Sequence, residues 1–189
     1  PGLSSGRNAV SAARLPWSIV VIAALLPVTT RAQVLELLDS VTDPEIPSVS
    51  IRDLGIIRAI DIHSTGQEMH VVVTITPTYS GCPATRVIEA DIRGAIERAG
   101  IPNVLIEHRL DPPWTTDWIT ERGRKHLLEA GISPPACWAS TPLPYEAGVV
   151  CPHCGSHNTR VLSSFGSTPC KALWRCSDCL EPFDYFKPH

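Results

Sequence analysis

Two Cys-x-x-Cys pairs, Cys151-Pro152-His153-Cys154 and Cys176-Ser177-Asp178-Cys179, stand 21 residues apart near the end of this 189-residue chain. No other feature restricts the possible folds so strongly. Each pair can present two sulfurs at roughly 2.3 Å from one ion, and the chain between them must fold back so that the pairs meet. Gly155, directly after the first pair, allows the tight turn that such a knuckle needs. Residues 159–165, 172–175 and 183–186 read as short strands, so residues 149–189 are expected to form a zinc-ribbon-like module with Cys151, Cys154, Cys176 and Cys179 as ligands. About forty residues cannot bury a sufficient core alone, so the ion is expected to supply much of the folding energy. Zinc suits a closed four-thiolate site, and a single iron uses a similar geometry. His153, His157 and His189 are near in sequence; with four thiolates present they read as solvated or outer imidazoles.

The chain has seven cysteines, an odd number that disfavours a complete disulfide framework, and the two Cys-x-x-Cys pairs point to metal rather than oxidation and so to a reducing compartment. A net charge of -3 and the lack of any Lys/Arg-rich stripe argue against nucleic-acid binding. Residues 15–28 form an apolar run behind Arg7 and Arg14, superficially like a secretory signal. The run is short for a bilayer, Pro27 interrupts it, and Thr29-Thr30-Arg31-Ala32 is a poor cleavage site. Residues 1–32 thus read as a leader whose status the sequence leaves open, with no membrane partner expected.

Residues 33–132 carry the pattern of a small α+β domain. Val34, Leu37, Leu38 and Val41 have helical spacing, and Pro44 and Pro47 end that helix. Residues 51–63 turn at Leu54-Gly55 and continue as a strand, which pairs antiparallel with the β-branched stretch 69–76. The strongest helical periodicity follows: Ala84, Val87, Ile88, Ile92, Ala95, Ile96 and Ala99, with Gly100 behind it. Residues 103–110 read as a third strand. A last helix, capped by Thr115 or Thr116 and weakened by Gly123, ends before Gly131. The expected fold is a three-stranded sheet packed with helices. Residues 133–148, rich in proline, read as a linker; Cys137 lies there and is assigned no role.

Cys82 precedes Pro83, a residue favoured at the first helical position, so the thiol is expected at the helix cap. Unpaired N–H groups and the positive end of the helix dipole favour the thiolate there, the form that binds metals and attacks electrophiles. A base for nucleophilic chemistry would have to come from His63, His70 or His108, all on or beside strands, where a surface role is the commoner one. Asp43, Glu45 and Asp53 read as turn and cap residues.

Three segments together, Asp43-Pro44-Glu45-Ile46-Pro47, Asp53-Leu54-Gly55-Ile56 and Thr78-x-x-Gly81-Cys82-Pro83, resemble the metal–sulfur cluster biosynthesis (SufT-like) family over residues 33–132. The stretches 167–176 and 181–188 resemble the C-terminus of the PaaD accessory proteins, which are encoded with the bacterial phenylacetyl-CoA oxygenase. This resemblance implies a non-catalytic, cytoplasmic protein of phenylacetate catabolism. It would help mature the iron–sulfur cluster or the di-iron site of that oxygenase, with the oxygenase subunits and the iron–sulfur assembly machinery as partners. By the same resemblance, Cys82 would hold iron or a cluster in transit. Cys170, outside both knuckles, reads equally as a second transfer thiol or as a strand residue. An adaptor that docks on the oxygenase without cargo is the alternative reading. Action across a homodimer interface is left open.

Overall fold

A computed structural model describes residues 30–65, 68–135 and 149–188. The leader up to residue 29, most of the proline-rich segment with Cys137, and His189 lie outside the described residues. The first helix, α1 (Arg31–Leu38), begins two residues earlier than the apolar spacing alone predicts. The Thr30 hydroxyl accepts from the Gln33 amide while the Gln33 side chain reaches back to the Thr30 amide, a capping box that fixes the start. Val34 and Leu38 are its buried face.

The proline segment does more than stop that helix. Strands β1 (Thr42–Asp43) and β2 (Ile46–Ser50) form a small antiparallel hairpin across Pro44-Glu45, and Asp43 Oδ1 accepts from the Glu45 and Ile46 amides. Strands β3 (Ile57–Thr65) and β4 (Glu68–Ile75) pair antiparallel. Helix α2 (Thr85–Arg98) then carries the chain over the sheet, so that β5 (Asn103–His108) pairs parallel to β4. Ile88, Ile92, Ala95 and Ile96 form its buried stripe, as the periodicity predicts.

The last helix differs from expectation. Thr115 caps only a single 3₁₀ turn (Thr116–Trp118), and α3 (Glu121–Glu129) starts anew with Thr120, whose hydroxyl accepts from the Gly123 amide. Gly123 is the reason α3 can lie where it does. A Cβ there would stand 2.7 Å from the Asp53 carbonyl oxygen. Gly123→Ala should therefore destabilise the protein by about 1–3 kcal/mol, steric strain outweighing the roughly 1 kcal/mol that alanine gains in a helix. Urea unfolding at neutral pH measures this; a variant more stable than the wild type refutes the close-packing explanation.

Strands β7 (Thr159–Ser163), β8 (Lys171–Cys176) and β9 (Pro182–Phe186) form the C-terminal antiparallel meander. A fourth strand joins it from the first domain: β6 (Ile132–Ser133) pairs parallel to β9 through Ile132–Asp184 and Ser133–Tyr185. Ser133, read from the sequence as the first linker residue, is thus a buried sheet residue. Two apolar cores result. One holds the β3–β5 sheet, the helices, and also Cys170 and Phe186; the other holds Val149, Ala172, Trp174, Phe183 and Tyr185 around the buried cysteines. Phe186 packs on Trp114 with ring centroids 5.9 Å apart, so the end of the ribbon is built into the first domain's core.

Candidate metal centre and thiol site

The four ribbon cysteines converge. Their ligand atoms all lie within 4.8 Å of one another, with Cys151–Cys179 at 3.7 Å and Cys154–Cys176 at 3.6 Å. A disulfide needs sulfurs near 2.05 Å. A tetrahedron with 2.3 Å arms has edges of about 3.8 Å, so the spacing fits an ion at the centre of the four sulfurs. Amides of Cys179 and Asp178 point at Cys176 Sγ at 3.5 and 3.4 Å, and this donation brings the Cys176 thiol down to about 7. Asp178 buttresses the centre from outside by accepting from the Ser156 hydroxyl and from Asn158 Nδ2. His153 and His157 are exposed and do not belong to the converging set. His153 instead lies beside Gly131, at the end of α3.

The residue after each knuckle must turn left-handed. Gly155 does so at φ 75°, but the second knuckle uses Leu180 at φ 67°. Leu180 is 59% exposed, so its side chain contributes little packing in exchange for that strain. Leu180→Gly should stabilise the metal-loaded ribbon by about 1 kcal/mol, read as a higher Tm. A lower Tm would show that the leucine is retained for its contacts.

Cys82 stands differently from its predicted place. The N-cap of α2 is Ala84, and Cys82 lies two residues before it in a turn, its amide donating to the Tyr79 carbonyl and its own carbonyl accepting from Thr85. Pro83 is therefore ahead of the helix rather than in its first turn. Half-buried Cys82 lines two spaces. On one side is a cavity of about 10 Å³ bounded by Asp43, Ile56, Ile75, Thr78 and Ile88, with room for roughly one water. On the other side a cleft of about 420 Å³ opens to solvent between Ser80, Gly81, Arg86, Glu89, His108 and Leu110. Gly81 has φ 87° and open space where a Cβ would be, which keeps that mouth clear.

Asp43 is buried, and this burial pushes its carboxyl up despite the two amides that donate to it and the Lys171 ammonium nearby. Glu45 is shifted the same way, by its own partial desolvation and then by the charge of Asp43. Tyr79 presents its hydroxyl to the Cys82 thiol without the alignment of a hydrogen bond; burial first, then that thiol, push the phenol up to about 12. Among the candidate bases, His63 and His70 face each other across β3 and β4 away from this site. His108 does line the outer cleft, where Nε2 meets Glu89 Oε1 at 2.8 Å. Asp53, read as a turn residue, proves to be a packing anchor that receives Thr120 and Arg122.

Comparison with known proteins decides the family. Residues 139–187 match the model of the PaaD zinc beta ribbon domain, and residues 31–104 match that of the iron-sulfur cluster assembly protein family. An Escherichia coli (strain K12) protein, named as one component of a "Putative 1,2-phenylacetyl-CoA epoxidase", is 50% identical over 154 residues, covering 80% of this chain and 88% of that one. The chain belongs to the PaaD family. A second relative, the "Fe-S protein maturation auxiliary factor" of Porphyromonas gingivalis (strain ATCC BAA-308 / W83), is 36% identical over 104 residues, 54% of this chain and 92% of that one. Among solved structures, a domain of unknown function DUF59 from Bacillus anthracis aligns with a TM-score of 0.45 at 23% identity, covering 51% of this chain and 89% of the other. The PaaD-family chain is an α+β protein with a metal-binding four-cysteine ribbon. Among the described residues no helix is long and apolar enough to cross a membrane.

Proposed function

We propose that this chain is a cytoplasmic accessory protein that helps load iron, as an ion or an iron–sulfur cluster, into the phenylacetyl-CoA epoxidase of phenylacetate catabolism. Cys82 holds the cargo in transit, and the ribbon cysteines hold a permanent zinc. The observation that carries this reading is the place of Cys82, half-buried and lining both a small, mostly apolar cavity that Asp43 borders and an open cleft of about 420 Å³. Thiolate is a soft ligand suited to iron and to clusters, and an open flank permits release to a partner. The partners in this reading are the reductase or di-iron subunit of the epoxidase and the cell's iron–sulfur assembly machinery. The family names of the relatives support an accessory role.

Anaerobic reconstitution with ferrous iron and sulfide should give visible absorbance that Cys82→Ala reduces at least tenfold while the ribbon keeps its zinc. Epoxidase expressed without this chain should be purified deficient in iron. A metal-replete, active epoxidase obtained in its absence defeats the maturation reading. Colourless protein from both the wild type and the variant favours the adaptor that carries no cargo. One observation favours a catalytic reading, the His108–Glu89 pair in the Cys82 cleft. Thioester hydrolysis that requires both Cys82 and His108 would support that alternative.

A further inference from the structure

The ribbon sheet runs in the order β6-β9-β8-β7, which puts β7 at its edge. No described strand pairs with the outer side of β7, so its outward N–H and C=O groups form an open row. None of its residues is buried. Val161 stands opposite Trp174, on the face that carries the ribbon core, and is exposed where that core runs out. Leu162 sits in the register shift between Val161 and Ser163 and is exposed too. Phe165, just beyond the strand, is 69% exposed. The opposite face carries charge. Arg160 and Arg175 are directly paired in the β7–β8 ladder, so their side chains lie together on the face away from the core. Like charges placed in this way destabilise a sheet. Among the described residues the ribbon's ion pair is Lys171–Asp184, and neither guanidinium has a carboxylate partner. Arg175 Nε donates instead to the Leu180 carbonyl. Asp178 is engaged by Ser156 and Asn158, and Asp184 by Ser167 and Lys171. Lys187 Nζ, 4.8 Å from the Phe165 ring centroid, adds a third positive charge near the end of the strand.

We propose that β7 is the docking edge of this protein, where an extended segment of the epoxidase, apolar and acidic at alternate positions, adds to the ribbon as a fifth strand. This rests on the reading of the chain as an accessory of that enzyme. Backbone groups of the added strand complete the open row. Its apolar residues cover Val161 on one face, and its carboxylates meet Arg160 and Arg175 on the other. The unneutralised arginine pair selects this occupant. A second copy of the chain fits badly, because joining two β7 edges antiparallel would gather both arginine pairs on one face with no acid between them. The shift at Leu162 limits how far any added strand can pair, which keeps the contact short and releasable.

The test uses the full chain with zinc in the ribbon, and as probe the epoxidase complex purified from cells that lack this chain. Affinity for the complex should fall at least tenfold in Arg160→Glu and in Leu162→Asp, and only two- to threefold in Arg160→Lys. All three side chains are at the surface, so zinc content and melting curve should match the wild type and separate lost docking from lost folding. Hydrogen exchange supplies a second readout: amides of β7 that are not bonded to β8 should exchange fast in the free chain and slow in the complex. Variants that bind like the wild type, or β7 amides that stay fast in the complex, overturn the docking edge and leave the accessory reading standing. Outward amides already slow in the free chain also overturn it. Slowing that grows with protein concentration then identifies a second copy as the cover, and slowing that does not identifies residues 136–148. Wild-type protein that does not bind the epoxidase overturns the accessory reading itself.

Discussion

Stripping the ribbon of its metal, by a strong chelator or by Cys154→Ala, is expected to unfold residues 149–188 while most of the first domain survives. Among the described residues the ribbon's own apolar core contains seven buried residues, and two of them are cysteines of the four-sulfur set. A structural zinc contributes about 10–16 kcal/mol of apparent binding free energy in small modules, far more than such a core supplies. Trp174, 3% exposed, should become hydrated and its emission should shift to the red. The first domain should lose about 2–3 kcal/mol of its own stability, because Phe186 would leave its core. A chelated protein with unshifted emission and an unchanged melting curve would refute the assignment of the four sulfurs to a metal.

The second large effect is expected at Asp53. Its carboxylate is 2% exposed and receives the Thr120 hydroxyl at 2.7 Å and Arg122 Nε at 2.8–2.9 Å, while Arg122 Nη2 reaches on to Asp39. This network ties α3 to the turn at 51–55 and, through Asp39, to the end of α1. Asp53→Ala should cost about 1–3 kcal/mol, the range for removing a buried hydrogen-bonding group whose charged partner Arg122 is half-exposed and can be solvated, and Asp53→Asn somewhat less. Burial pushes the Asp53 carboxyl up, but hydrogen bonds from Arg122 and Thr120 and the guanidinium charge outweigh it, so the net direction is down. A carboxylate held below its unfolded value contributes stability above that value, about pH 3.9, and loses the contribution as pH falls through the lower, folded value. The wild type should therefore lose stability faster than Asp53→Asn below about pH 4. Parallel urea-denaturation curves for the two proteins between neutral and acid pH would contradict this.

What the sequence reveals here is local chemistry, and what it conceals is approach. The period of α2, the β3–β4 pair and the four ribbon ligands are written in neighbouring residues, and each appears in the structure within a residue or two of its expected place. The capping box at Thr30 and Gln33 was readable too, since the three-residue spacing is a known helix start. Cys82 shows the limit of such reasoning. Pro83 at the first helical position is a sound general preference, yet the turn closed by Tyr79 delays the helix to Ala84. The role of Gly123 could not be seen, because the Asp53 backbone that excludes a Cβ lies seventy positions earlier. Asp53 itself looked like an ordinary turn residue for the same reason. A two-residue strand such as β6 carries no periodicity at all, and its pairing with β9 follows only from how the domains pack. Cys170 is the same case: its neighbours in sequence are ribbon residues, but its surroundings belong to the other domain.

The parallel pairing of Ile132–Ser133 with β9 bears on how freely this ribbon could be moved by evolution or by engineering. A segment excised at residue 149 and grafted elsewhere would arrive with an open backbone edge along its final strand, and with Phe186 bared to water. It would need a host that supplies both a short extended stretch and an aromatic seat like Trp114. The tail is thus less a detachable appendage than a keystone cut to fit one arch.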